Sequence, residues 1–122
     1  ALELAPEHER LLAATAQAYR ELRARRTALR YARRALQVNP WNTGLHMLEC
    51  ELLAELEQWE ASRRAALSGL KLDPANTALR ARLIEACRAV GRTQEADEQR
   101  ELLERIQAAA LLRHADSTQG EK

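Results

Sequence analysis

The three prolines of this chain, Pro6, Pro40 and Pro74, stand 34 residues apart, and its 122 residues hold no other. Their neighbours move with them: Leu4-Ala5-Pro6, Val38-Asn39-Pro40-Trp41-Asn42-Thr43 and Leu72-Asp73-Pro74-Ala75-Asn76-Thr77 are variants of one phrase. A unit this short cannot enclose a core alone, so each must bury its apolar face against the next, and the interval is that of stacked helix pairs. The opening Ala1-Leu2-Glu3-Leu4-Ala5-Pro6 matches Ala35-Leu36-Gln37-Val38-Asn39-Pro40, which closes a unit rather than opening one. The sequence therefore reads as the C-terminal part of a longer repeat protein. Residues 1–8 end a truncated repeat, residues 9–42, 43–76 and 77–110 form three units, and 111–122 form an extension with a polar tail.

Within each unit the apolar residues recur at spacings near three and four, the mark of amphipathic helices. Leu11, Leu12, Ala16, Tyr19 and Leu22 define a first helix, and Ala28, Leu29, Ala32, Ala35, Leu36 and Val38 a second. Leu45, Leu48, Leu52, Leu53 and Leu56 precede Trp59, Ala65, Ala66, Leu70 and Leu72; Leu79, Leu83, Ile84, Cys87 and Val90 precede Ala96, Leu103 and Ile106. Proline lacks an amide proton and clashes with the preceding turn, so Pro40 ends a helix. Asn42 or Thr43 can then cap the next one. Glu57-Gln58 and Gly91 fall at the turns inside their units. Where a fourth proline is due the residue is Ala108, so the last helix is expected to run on to about Ala115 before the tail from Asp116 frays. With 46% hydrophobic residues, four Gly and no Phe, Leu and Ala must fill the interior, which suits close helix packing and argues against a large ligand cavity.

Small residues at Ala16, Ala28, Ala32, Ala35, Cys50, Ser62, Ala66, Gly69 and Ala96, together with Tyr19, Pro40 and Pro74, resemble the tetratricopeptide repeat family over residues 1 to about 110. The resemblance implies an all-α, right-handed α-solenoid of antiparallel helix pairs, with first helices lining a concave face. Proteins of this family are typically interaction scaffolds. The positions they use for peptide contact fall here on Arg10, Gln17 and Arg20, then Met47, Leu48, Glu51 and Glu55, then Arg82, Glu85 and Arg88, with small residues such as Ala13, Ala54 and Ala78 between them. Arg20, Arg82 and Arg88 are suited to anchoring carboxylates, and Met47 with Leu48 to forming an adaptable apolar patch. The carboxylate clamp of heat-shock-chaperone binders needs Lys and Asn where this chain has Ala13, Gln17, Leu48 and Ala78; only Arg82 fits. Glu49 and Arg100 depart from the family pattern.

Other clusters have simpler readings. Arg20, Arg23, Arg25, Arg26, Arg30, Arg33 and Arg34, with Tyr19 and Tyr31 among them, superficially suggest nucleic-acid binding, but helical spacing scatters them and a solvated face is the preferred reading, an acidic protein partner the next. The net charge of +1 implies neither a nucleic-acid nor a membrane partner. Glu95, Asp97, Glu98, Glu101 and Glu104 give the last unit the opposite balance. His46 and Cys50, four apart, are too few for a metal site. Glu49 near His46 lacks any nucleophile or oxyanion donors, so the chain is not read as an enzyme and no cofactor is expected. Cys50 and Cys87 read as buried thiols, an inter-repeat disulfide being the minor reading. Leu103, Ile106, Leu111 and Leu112 are expected to form a seam that either caps the preceding helix or pairs two chains, with pairing preferred.

The sequence thus points to a scaffold that binds a peptide segment or partner domain, including another domain of its own parent chain. The rival reading is an accessory or self-assembly domain of a larger, possibly bacterial multidomain, enzyme whose chemistry lies upstream.

Overall fold

The computed structural model describes residues 6–120, and the side chains of 8–115. Its helices are α1 (Pro6–Glu21), α2 (Arg25–Val38), α3 (Thr43–Glu55), α4 (Trp59–Leu72), α5 (Thr77–Ala89) and α6 (Thr93–Gly120). The pairs α1–α2, α3–α4 and α5–α6 pack within themselves, and α3 and α5 each pack onto the preceding second helix. The all-α solenoid of stacked pairs anticipated from the 34-residue interval is therefore present.

The C-terminal end differs from the expectation, and the expected end of a preceding repeat lies mostly outside the described residues. Pro6 is the first described residue and already lies in α1, whereas Pro40 and Pro74 stand between helices. Leu2 and Leu4 lie outside the described residues. At the other end α6 does not stop near Ala115 but continues to Gly120, since no breaker stands between Thr93 and that glycine, Asp116, Ser117, Thr118 and Gln119 included.

Each unit turns between its two helices by the same device. The amides of Ala24, Gln58 and Arg92 donate to the carbonyls of Tyr19, Leu53 and Cys87, five residues back, at 2.9, 2.8 and 2.8 Å. This closure needs one residue in left-handed backbone. That residue is Arg23, Glu57 or Gly91, with φ of 63°, 60° and 81°, and the three lie one repeat apart. Between units the caps repeat too: Asn42 and Asn76 accept from the amides of Leu45 and Leu79 at 3.2 and 2.9 Å. Thr43, the alternative cap, is instead the first residue of α3.

Where the pairs meet, size decides. Ala16, Ala28, Ala32, Ala35, Cys50, Ala66 and Ala96 have no exposed surface. A Cβ added to Gly69 would meet Leu79 Cδ1 at 2.7 Å, closer than real Cβ contacts come, so α4 and α5 approach as they do because that carbon is absent. Leu45 and Leu79, at equivalent places, are 3% and 0% exposed, whereas their counterpart Leu11 is 64% exposed because no described helix precedes α1. Each such burial is worth about 2 kcal/mol. Arg100 takes the place of Ala32 and Ala66 without penalty: it is on the surface beside Asp97 at 3.9 Å, where no described helix packs onto α6.

Two polar residues pin the inter-unit turns from within. His46 Nε2 donates to the Pro40 carbonyl at 2.8 Å, and the repeat-equivalent Arg80 donates through Nη2 to the Pro74 carbonyl at 2.7 Å and through Nη1 to Gln99. The first unit has Leu12 there.

The left-handed turn residues yield a paired prediction. Glu57→Gly should raise stability by about 0.5–1 kcal/mol by relieving Cβ strain, and Gly91→Ala should lower it by a similar amount, since nothing lies within 4 Å of the added Cβ and only the backbone angle opposes it. Urea unfolding monitored by circular dichroism measures both; two shifts of the same sign would contradict the assignment.

Candidate partner-binding groove

Five of the ten anticipated groove residues, Arg20, Glu51, Glu55, Arg82 and Glu85, are joined by ion pairs within and between the first helices. Arg20 on α1 reaches both Glu51 and Glu55 on α3, at 3.5 and 3.2 Å. Arg82 on α5 reaches Glu51 at 3.0 Å and Glu85 on its own helix at 3.6 Å. Arg25, at the start of α2, extends the chain to Glu55 at 3.6 Å. The path Arg25, Glu55, Arg20, Glu51, Arg82, Glu85 thus crosses all three units. Helical spacing explains it: Glu51 and Glu55 are one turn apart on α3, so one faces both neighbouring first helices and the other faces the α1–α2 turn.

The anticipated residues do not all behave alike. Arg10, Gln17 and Arg88 are exposed, and among the described residues no carboxylate lies within 4.0 Å of Arg10 or Arg88. Gln17 lines a depression of about 420 Å³ with Arg20, Glu21, Arg23, Arg25 and Glu55. Met47 is half-buried against the core. Leu48 is 4% exposed and belongs to that core, so the apolar patch of Met47 with Leu48 reduces to Met47. The reason is register: Leu48 follows Leu45 by three residues and shares its buried side of α3. Arg20 and Arg82, expected from the sequence to anchor carboxylates, are already held by Glu51 and Glu55; the signal available was opposite charge one to three places apart in the repeat register of neighbouring first helices.

The remaining clusters separate. Glu49 pairs with Arg33 at 3.0 Å rather than with His46, whose ring nitrogen is held by Pro40. Among the described residues no group of three or more His, Cys, Asp or Glu could hold a metal ion, and no helix is long and apolar enough to cross a membrane. Of the terminal seam, Leu103 packs against the core and Ile106 is half-buried, while Leu111 and Leu112 are 71% and 68% exposed. Ile106 and Leu111, but not Leu112, line a depression of about 570 Å³ with Ala75, Thr77, Gln107, Ala110 and Arg113.

This geometry is that of a tetratricopeptide-repeat-like helical solenoid, and solved structures agree. The first such domain of Spaghetti (RPAP3), bound to the HSP90 peptide SRMEEVD, superposes with a TM-score of 0.79 at 14% identity, over 98% of this chain and 99% of that one. The TPR2AB domain of yeast Sti1, in its pHSP90 complex, gives 0.81 at 16% identity over 94% of this chain and 46% of that one. A point mutant of MamA gives 0.76 at 16% identity over 84% and 74%. No protein-family model and no curated protein sequence matches the chain.

Both cysteines are free and buried. Ser62 Oγ donates to the Cys50 carbonyl at 2.9 Å and lies 3.3 Å from its sulfur, which satisfies a hydroxyl placed where the other units have Ala28 and Ala96. Burial raises the Cys50 thiol above its ordinary pKa, with the Ser62 contact opposing in part. Burial, then the nearby Glu95 carboxylate, pushes Cys87 up to about 11. Thiols so placed are poor nucleophiles. A folded-state pKa above the unfolded one means the folded chain holds its proton longer, so the corresponding stability is intact below about pH 8.5 and is lost as pH rises toward 11. Thermal melts should therefore show the melting temperature falling between pH 9 and 11. Cys87→Ala should flatten part of that slope; an identical slope in the variant would contradict the assignment.

Proposed function

We propose that this chain is a protein-interaction scaffold whose first helices receive a peptide segment or a partner domain. The observation that carries the reading is the ion-pair chain through Arg20, Glu51 and Arg82, which puts groups of both signs on one wall across three stacked units. The likeness in fold to the Spaghetti and Sti1 domains, whose structures are complexes with an HSP90 peptide and with pHSP90, supports it. This chain lacks the Lys and Asn of a carboxylate clamp at Ala13, Gln17, Leu48 and Ala78, so its ligand is a different one. Because Arg20 and Arg82 are already paired, an incoming carboxylate competes with Glu51 there, while Arg88 offers an uncompensated first anchor. A ligand of mixed charge exchanges partners with the wall at little desolvation cost; a purely acidic one does not.

Arg82→Ala with Arg88→Ala should weaken capture of a binding partner in a pull-down and leave the circular dichroism spectrum unchanged. Glu51→Gln should strengthen binding of acidic peptides by up to about fivefold, the worth of one exposed pair. Binding unaltered in both variants would place the interaction elsewhere.

A second reading, self-assembly through α6, rests on the exposed Leu111 and Leu112 and the depression beside Ile106. Size-exclusion chromatography with light scattering should show a dimer that the Leu111→Glu, Leu112→Glu double variant dissociates. A monomer at high concentration, or a dimer indifferent to these charges, overturns it.

A further inference from the structure

The arginines of the first unit are not all scattered. Arg26, Arg30, Arg33 and Arg34 converge with Gln37 on one side of α2, where they rim a depression of about 370 Å³ over the buried Leu29. Spacings of three and four residues keep them on one helical face, over a length of roughly 16 Å. None belongs to the ion-pair chain of the groove.

Two are fixed from inside the molecule: Arg33 pairs with Glu49 at 3.0 Å, and the Arg34 guanidinium lies 5.4 Å from the Tyr31 ring centre. Arg26 and Arg30, by contrast, have no carboxylate within 4.0 Å among the described residues. Arg10, Arg23, Arg88, Arg105 and Arg113 likewise have none, whereas Arg20, Arg25, Arg63, Arg64, Arg82 and Arg92 make ion pairs; what sets Arg26 and Arg30 apart is that they stand one turn from each other and beside Arg33 and Arg34 on one helical face.

The repeat supplies a control for this face. The places of Arg26, Arg30, Arg33, Arg34 and Gln37 are held on α4 by Glu60, Arg64, Leu67, Ser68 and Lys71, and on α6 by Gln94, Glu98, Glu101, Leu102 and Arg105. Four positive charges on α2 thus become two positive and one negative on α4, then two negative and one positive on α6. The fold requires none of these residues to be arginine, and a cluster of like charges one turn apart opposes the helix that carries it.

We infer that this side of α2 is a second docking surface, and that its partner is an acidic polypeptide segment with carboxylates about one helical turn apart and an apolar side chain for the depression over Leu29. Guanidinium forks bind carboxylates in pairs, and Arg26 and Arg30 are open to do so. A nucleic acid fits less well. The face is one helix wide and its charge reverses along the array, whereas a phosphate chain needs a continuous basic track. Tyr31 is also stacked on Tyr19, with ring centres 5.5 Å apart, which commits the local aromatic surface that bases would stack on. Such a surface makes the scaffold bivalent, able to hold an acidic partner while the first helices hold another.

The test is fluorescence anisotropy on the whole chain with a labelled 14-residue helical peptide bearing Glu at every fourth or third place along one side and one Leu among them. A peptide of the same composition with its Glu residues spread around the helix, and a 12-nucleotide oligouridine, serve as comparison probes. The one-sided peptide should bind more tightly than either. The Arg26→Glu, Arg30→Glu double variant should weaken it by about tenfold or more, and Arg26→Gln, Arg30→Gln by less, while Lys71→Glu with Arg105→Glu, the same charge change on α4 and α6, should stay within about twofold. Equal loss in the Lys71, Arg105 variant, no loss in either α2 variant, or tighter α2-dependent binding of the oligouridine would each overturn the proposal.

Discussion

The structure depends on how closely helices of neighbouring units can approach, and that is set by side chains that are absent. The space a Gly69 Cβ would take is used by a methyl of Leu79, a fully buried leucine. Ala16, Ala28, Ala32, Ala35 and Ala66 do the same elsewhere, each with no exposed surface. In an interior with almost no aromatic residues and no Phe, leucines inserted over alanines and glycine provide the density that large rings supply in other cores. Everything functional is a consequence of that spacing, because it fixes the separation of the first helices and hence which side chains can bridge between them.

Once α1, α3 and α5 are held side by side, their polar faces are brought within ion-pair range. Glu51 then touches arginines from two other units, Arg20 and Arg82. Individually such partly exposed pairs add little stability. Under the function proposed above their larger effect is on recognition: they orient six long side chains in advance and set the net charge that a ligand meets.

The second helices carry a different charge pattern, since packing constrains only one side of each. The inward side repeats small residues; the outward side is free to vary, and it passes from four arginines on α2 to an excess of glutamate on α6. Helix α6 shows the same freedom in another form. Arg100 and Leu103 stand where earlier units have Ala66 and Gly69, and the helix continues to Gly120, exposing Leu111 and Leu112.

Period, helix pairing, caps and core residues were legible in the sequence because each is a local or periodic property. Prolines and asparagines punctuate at 34-residue intervals, and most leucines at spacings of three and four are buried along one side of their helix, while Leu11, Leu22 and Leu72 of the same pattern are exposed. The left-handed turns were legible only at Gly91, since Arg23 and Glu57 adopt the same backbone with side chains that do not advertise it. The burial of Leu48, the pairing of Glu49 with Arg33 and the joining of Arg20, Glu51 and Arg82 were decided by the tertiary structure. The ion pairs depend on distances between residues 16 to 31 positions apart on different helices, and periodicity, which reports the face a residue occupies on its own helix, carries no measure of what stands opposite.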